Sequence, residues 1–345
     1  MTFKKFVLRI VLGIFFISIN KIQAQTDVWY VGNNISIDFS SGTAVVGNGI
    51  ENSSEMSESS TAITDANGDL IFAVVGDQIF DGGETAVLNL PLKTSDVSNG
   101  TMVIPVPGTT DEYYLTVVRE NNNSAPSPMA QYYHVQANGT GAGNITVTGP
   151  NDLQTNLTQS QTSVPKINPD GTVSDDFWWI SHEMCNNNFV LYSVSSVGIT
   201  PSSTESVGPN LVCDPNMPPR YDAIGTMKFN GCFTKMTYVM DGIAVLYDFN
   251  PQTGEMTLLD TKQLPELKQA YSMEYSPDGK YAYVCTGQDN NNPGKIYRMD
   301  VTPTGFSAPT LLGYTSGLRG GHLQLAPDGN IYYAIPEAYS NNRKG

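Results

Sequence analysis

The sequence predicts an all-β fold, and within it a β-propeller of four-stranded antiparallel blades, on three observations. Tyr, Val, Thr, Ile and Phe crowd into short runs between Gly, Pro, Asn and Asp clusters, and no long i, i+3, i+4 apolar stripe appears after about residue 25. One hairpin pattern recurs six times: "STAITDANGDLIFAVV", "TMVIPVPGTTDEYYLTVV", "SVPKINPDGTVSDDFWWISHE", "GTMKFNGCFTKMTYVM", "YSMEYSPDGKYAYVCTG" and "HLQLAPDGNIYYAIPE". The turn glycines Gly68, Gly108, Gly171, Gly231, Gly279 and Gly329 lie 40, 63, 60, 48 and 50 residues apart, the period of propeller blades.

The chain starts with a targeting signature. "MTFKK" is basic, "FVLRIVLGIFFISI" is apolar but for Arg9, and "KIQAQ" offers a cleavage zone after Ala24. Residues 1–24 therefore read as a signal peptide and residues 25–345 as the propeller domain. The apolar run falls short of the ~20 residues a span needs, so no stable membrane span is expected after cleavage. No Cys stands at the cleavage zone, which argues against a lipid anchor.

Next come "VWYVGNNISIDFSSGTAVV", three short strands at about 29–32, 35–39 and 43–46, in the order of a blade's second, third and fourth strands. The repeats then follow. After four of the hairpins a third strand carries Tyr two residues before an apolar residue: Tyr133 and Val135, Tyr192 and Val194, Tyr247 and Phe249, Tyr297 and Met299. A Gly-containing turn and a fourth strand complete each unit, as in "YDFNPQTGEMTLL". Stacking such sheets about an axis buries both apolar faces of each. Glycine in the turns supplies the positive φ that tight hairpins require. The sixth repeat stops after two strands, so the count favours seven blades with the C-terminal strands cut short. A six-bladed closed ring, in which the N-terminal strands complete the sixth repeat, is the alternative.

The net charge of −15 becomes −19 once Lys4, Lys5, Arg9 and Lys21 leave with the signal. Nucleic-acid binding, which needs clustered Lys and Arg, is excluded on that ground. The acids are dispersed through turns, as on a solvated secreted surface, and no D-x-[DN]-x-[DN]-G calcium loop occurs.

The three histidines bear most on chemistry. His134 lies on a third strand as a sheet-face residue. His182 and Glu183 are strand neighbours pointing to opposite faces, so they do not share a metal without a turn. His322 opens an innermost strand, where side chains line the central channel, and Glu58 and Asp222 precede inner strands in comparable places. Those three define a channel cation site, calcium or zinc, for the rival reading. There is no G-x-S-x-G elbow, and "NGTGAGN" at 138–144 lies between two strands as a hairpin loop. The aromatic pairs Tyr113-Tyr114, Trp178-Trp179 and Tyr332-Tyr333 are expected to send one ring to each neighbouring blade. Of the four cysteines, Cys185 and Cys213 sit on connections that emerge on the same face and are expected to form a disulfide. Cys232 and Cys285, on opposite rims, are expected as packed thiols.

The ordered set "WYVGNNISIDFSSG", "STAITDANGDLIF", "VIPVPGTTDEYYLTVV", "IGTMKFN", "YSMEYSPDGKYAYVCTG" and "GGHLQLAPDGNIYYA" resembles the N-terminal propeller of large bacterial secreted and cell-surface proteins. Those proteins often carry PKD-like modules and a gliding-motility-associated or type IX sorting domain. Val31 replaces the aromatic residue such an opening would carry. A broader likeness to YVTN-type, WD-repeat and lactonase-like propellers rests on the hairpins alone. The resemblance implies a secreted or cell-surface, non-catalytic binding or scaffold module of a larger adhesin-like protein. No catalytic residue and no cofactor are then expected, and the partner is a surface protein or glycan. The alternative is a lactonase-like hydrolase with a channel metal at Glu58, Asp222 and His322.

Overall fold

In the computed structural model, the described residues are 27–30, 35–50, 59–91, 97, 99–119, 130–211, 224–240, 242–264, 270–287, 293–314 and 321–334. Every regular element among them is a strand. The first sheet holds β1 (Val28–Tyr30), β2 (Ile35–Asp38) and β3 (Val45–Asn48). The second holds β4 (Ser60–Thr64), β5 (Leu70–Val75), β6 (Gln78–Asp81) and β7 (Ala86–Asn89). The third holds β8 (Thr101–Pro105), β9 (Glu112–Val118), β10 (Ala130–Ala137) and β11 (Ile145–Gln154). The fourth comprises β12 (Leu157–Ile167), β13 (Val173–Glu183), β14 (Asn188–Ser195) and β15 (Gly198–Ser206). The fifth comprises β16 (Gly225–Phe229), β17 (Lys235–Met240), β18 (Ile243–Phe249) and β19 (Met256–Gln263). In the sixth, β20 (Ala270–Tyr275), β21 (Tyr281–Thr286) and β22 (Lys295–Thr302) precede the short β23 (Gly305–Phe306) and β24 (Thr310–Tyr314). The seventh has β25 (His322–Leu325) and β26 (Ile331–Ala334).

Each sheet is an antiparallel meander in chain order, the arrangement of a propeller blade. Alternation along the second strands explains the ring. Tyr113 packs toward the second sheet and Tyr114 toward the fourth, while Trp178 packs toward the fifth and Trp179 toward the third. Tyr333 joins the sixth sheet's side chains, and Tyr332 meets Trp29 and Phe39 of the first sheet. All three aromatic pairs therefore serve blade packing, as their spacing predicts. The first and seventh sheets meet face to face, in the way that Phe72 on β5 meets Tyr113 on β9.

The hairpin turns share one geometry, in which the residue after the inner strand receives the N–H three residues on. Gly68, Gly171, Gly279 and Gly329 supply that N–H at positive φ, while in the third sheet Thr109 supplies it and Gly108, one residue earlier, takes the positive φ. In the fifth sheet the expectation placed on Gly231 is corrected: Phe233 holds the left-handed position, at φ 60°, and its N–H reaches the Asn230 carbonyl at 2.9 Å. A bulky residue pays for that conformation. Here its ring packs against the core between the fourth and fifth sheets, and the Asn230 Oδ1 receives the Thr234 and Lys235 N–H groups.

Cys185 is disulfide-bonded, and its expected partner Cys213 lies outside the described residues. Cys285 is a buried free thiol whose burial pushes its pKa up to about 12. Cys232 is free but exposed, in the turn before β17 rather than at a strand start, so its expected packing is corrected.

Candidate functional site

The inner strands β16, β20 and β25 are tied to one another by side chains at a single register. Thr226 Oγ1 accepts the Met273 N–H at 3.0 Å, and one sheet further Ser272 Oγ accepts the Leu323 N–H at 2.9 Å. His322 occupies the third place in that series. Its Nδ1 is buried without a hydrogen-bond partner, and burial, reinforced by the Lys228 charge, pushes its pKa down to about 3. The ring is neutral at pH 7.

Two residues along, Lys228, Glu274 and Gln324 form a second row. Lys228 Nζ stands 3.2 Å from Glu274 Oε2 and donates to Gln324 Oε1 at 2.8 Å, so one ammonium links three consecutive blades. Glu274 is nearly buried, at 7% side-chain exposure, and also accepts the backbone N–H of Tyr275 (2.9 Å) and Leu325 (3.1 Å). A buried carboxylate needs such a set of donors.

Of the three residues expected to hold a channel cation, Glu58 and Asp222 lie outside the described residues. Among the described residues no three His, Cys, Asp or Glu side chains converge as a metal site. A cation at His322 would sit near the Lys228 ammonium, beside a nitrogen whose surroundings already oppose positive charge. The local chemistry fits a metal poorly.

His182 is the penultimate residue of β13. It is fully buried, 4.6 Å from the Phe189 ring and 5.3 Å from the Tyr238 ring, with neither nitrogen hydrogen-bonded. Desolvation lowers its pKa to about 4. Glu183 points away and accepts from Asn186, at 2.8 Å, and Asn188, at 2.9 Å. The opposed directions expected of these neighbours are observed. His134 pairs with Glu112 at 2.7 Å on its sheet face. Elsewhere in the fourth sheet Lys166 Nζ donates to Ser193 Oγ at 2.5 Å and lies 4.1 Å from the centre of the Trp178 ring. There burial lowers the lysine's pKa while Asp176 opposes the shift.

The sequence reading named His322 but passed over Lys228, Glu274 and Gln324. The signal was present: "MKFNG", "MEYSPDG" and "LQLAPDG" place all three two residues before the hairpin turn, so aligning repeats on the turn puts them in one column.

Fold and channel together define a β-propeller. No family model and no curated protein matches the chain. Among solved structures it is similar to a functionally unknown protein from Desulfotomaculum acetoxidans, with 14% identity, 88% of this chain and 82% of that chain covered, and TM-score 0.49. A protein from Lactobacillus plantarum matches with 14% identity, 87% and 83% covered, and TM-score 0.49. The periplasmic gluconolactonase of Pseudomonas aeruginosa matches with 11% identity, 89% and 86% covered, and TM-score 0.47. At these identities none of them carries a function to this chain.

Proposed function

We propose that the chain is a secreted or cell-surface β-propeller acting as a non-catalytic binding or scaffold module, within a larger adhesin-like protein. One observation carries this reading: the polar side chains of β16, β20 and β25, His322 apart, are engaged in joining blade to blade. Thr226 and Ser272 receive backbone N–H groups of the next strand, and Lys228 is held between Glu274 and Gln324. Such groups stiffen a ring that presents its rims. A catalytic channel instead needs a base within reach of a nucleophile and a place for substrate between them. The basic, apolar N-terminal segment supports the secreted localisation.

The rival hydrolase reading rests on His322 at the mouth of an inner strand. Metal content by mass spectrometry, together with ester and lactone turnover, separates the two. The binding module predicts no stoichiometric metal and no turnover, with saturable binding to a surface protein or glycan in array experiments. A bound calcium or zinc lost in His322→Ala together with lactone turnover would overturn it.

A further inference from the structure

We propose that Lys228 and Gln324 join through their side chains in an intramolecular amide, an isopeptide brace between the fifth and seventh sheets, with Glu274 of the sixth sheet carrying the protons. It is a covalent modification that the folded chain performs on itself. The inference goes beyond the binding-module reading and does not depend on it.

An amine, a carboxamide and a carboxylate meet here as amide exchange requires. Lys228 Nζ is the nucleophile, 2.8 Å from Gln324 Oε1 and so placed against the carboxamide it attacks. Glu274 Oε2 stands 3.2 Å from the same nitrogen and is the base that takes its proton. On the leaving side, Gln324 Nε2 donates to the Leu325 carbonyl at 3.3 Å, and Glu274 Oε2 accepts the Leu325 N–H at 3.1 Å. The carboxylate and the departing nitrogen thus flank one residue.

The backbone holds the three groups in place. Thr226 Oγ1 on the Met273 N–H and Ser272 Oγ on the Leu323 N–H fix the register of β16, β20 and β25 beside them. Reactants presented side by side on paired strands react as if at high local concentration. Water is largely kept out, since the Glu274 side chain is 7% exposed and that of Lys228 22%. Other lysine pairs lack this shelter. Lys235 with Asp248 and Lys280 with Asp278 stand at 3.2 and 3.0 Å, but those carboxylates are 58% and 48% exposed, so water competes for both partners.

Atoms and charge balance without an oxidant or a reductant. Lys228 gives one proton to Glu274, and the freed amine pair forms the Nζ–Cδ bond while the carbonyl electrons move onto Oε1. Glu274 then hands its proton to Nε2. As Oε1 regains its double bond, the Cδ–Nε2 bond breaks and Nε2 departs with the bonding pair. A second Nζ proton follows by way of the same carboxylate, so the leaving group ends as ammonium and Glu274 ends ionised, as it began. The new amide links residues 96 apart in the chain, and it restricts the unfolded state as a disulfide of that span does.

The test is tryptic mass spectrometry of the purified chain after prolonged incubation, folded in one sample and in urea in the other. Trypsin does not cut after an acylated lysine, so the product is a branched peptide joining residues 221–235 to residues 320–343, lighter by one ammonia than their sum. Ring closure at an Asn-Gly pair such as Asn138-Gly139 also sheds ammonia, so the branched peptide rather than the intact mass is the readout. The branch is expected in the folded sample and not in urea. Lys228→Arg should abolish it, and Glu274→Gln should slow its formation by roughly a hundredfold. Circular dichroism reports whether each variant folds; where one does not, the folded and urea samples of the natural sequence decide. Complete tryptic cleavage after Lys228 in the folded chain overturns the proposal. So does a branch that forms equally in urea, one indifferent to Glu274→Gln in a folded variant, or one that joins Lys228 to Glu274 instead of Gln324.

Discussion

Trp29 on β1 and Tyr332 on β26 stand edge to face with ring centres 5.9 Å apart, joining the first sheet of the chain to the last. Phe39 completes the trio, 4.7 Å from Trp29 and 5.3 Å from Tyr332. No ladder joins these two sheets among the described residues, so ring packing carries the closure there. Trp29→Ala and Tyr332→Ala are each expected to lose about 2 to 3 kcal/mol in urea unfolding. A double-mutant cycle should show about 1 kcal/mol of coupling. Strict additivity would mean that the two rings do not hold the closure.

The Lys228 and Glu274 pair makes a different demand. Lys228→Met leaves Glu274 as a nearly buried carboxylate with its two backbone donors but without its counter-ion, and should cost about 1 to 3 kcal/mol. Adding Glu274→Gln removes the stranded charge while keeping an acceptor, so the double variant should be more stable than Lys228→Met alone. Equal or lower stability for the double variant in urea titrations would show that the charge is not what the lysine satisfies.

How far the sequence foretold this structure depends on which interactions repeat. The hairpins, the Tyr-x-apolar third strands and the outward split of Trp178 and Trp179 were legible because each is written into a period-2 or blade-length pattern. Phe233 was not: nothing local says that a phenylalanine will take the left-handed position beside an available Gly231, because the gain is packing against another blade. The row formed by Lys228, Glu274 and Gln324 was half legible. Its column can be read from the repeats, yet its meaning depends on three sheets meeting at the channel. Cys232 was misplaced by the same turn that Phe233 occupies.

His182 sets a pH dependence whose sign follows from its burial. Its folded pKa is about 4, below the ordinary value of 6.5, so between those values the unfolded chain binds the proton that the folded chain refuses. The stability tied to this residue is fully present above pH 6.5 and drains away as pH falls toward 4, by about 3 kcal/mol at most. His322, lowered to about 3, extends the same loss further into acid. His182→Phe should flatten the stability curve between pH 6.5 and 4, whatever its effect at neutrality. An unchanged slope in thermal unfolding across that window would remove His182 as the titrating group.

The second and third sheets are locked at their outer turns by a polar clasp that offers the last prediction. Asp81, almost fully buried, accepts the Gly83 and Thr85 N–H groups through Oδ1 and the Gly143 N–H through Oδ2 at 2.6 Å. Asn144 Oδ1 in turn accepts the Gly82 N–H at 3.0 Å, and its amide donates to the Ile71 carbonyl at 2.9 Å. The loop read as a plain hairpin thus also seats a neighbouring blade. Gly82 is there for space: a Cβ would lie 2.4 Å from the Leu70 carbonyl oxygen and 2.5 Å from the Gly141 nitrogen, both backbone atoms that cannot swing aside. Gly82→Ala should therefore force the turns apart and cost about 3 kcal/mol, with faster amide exchange at Gly83 and Gly143. Asp81→Asn keeps the volume and loses the charge-assisted bonds, so it should cost less, about 1 to 2 kcal/mol. If Gly82→Ala proves neutral while Asp81→Asn does not, the clasp is held by charge, and the close approach at Gly82 is dispensable.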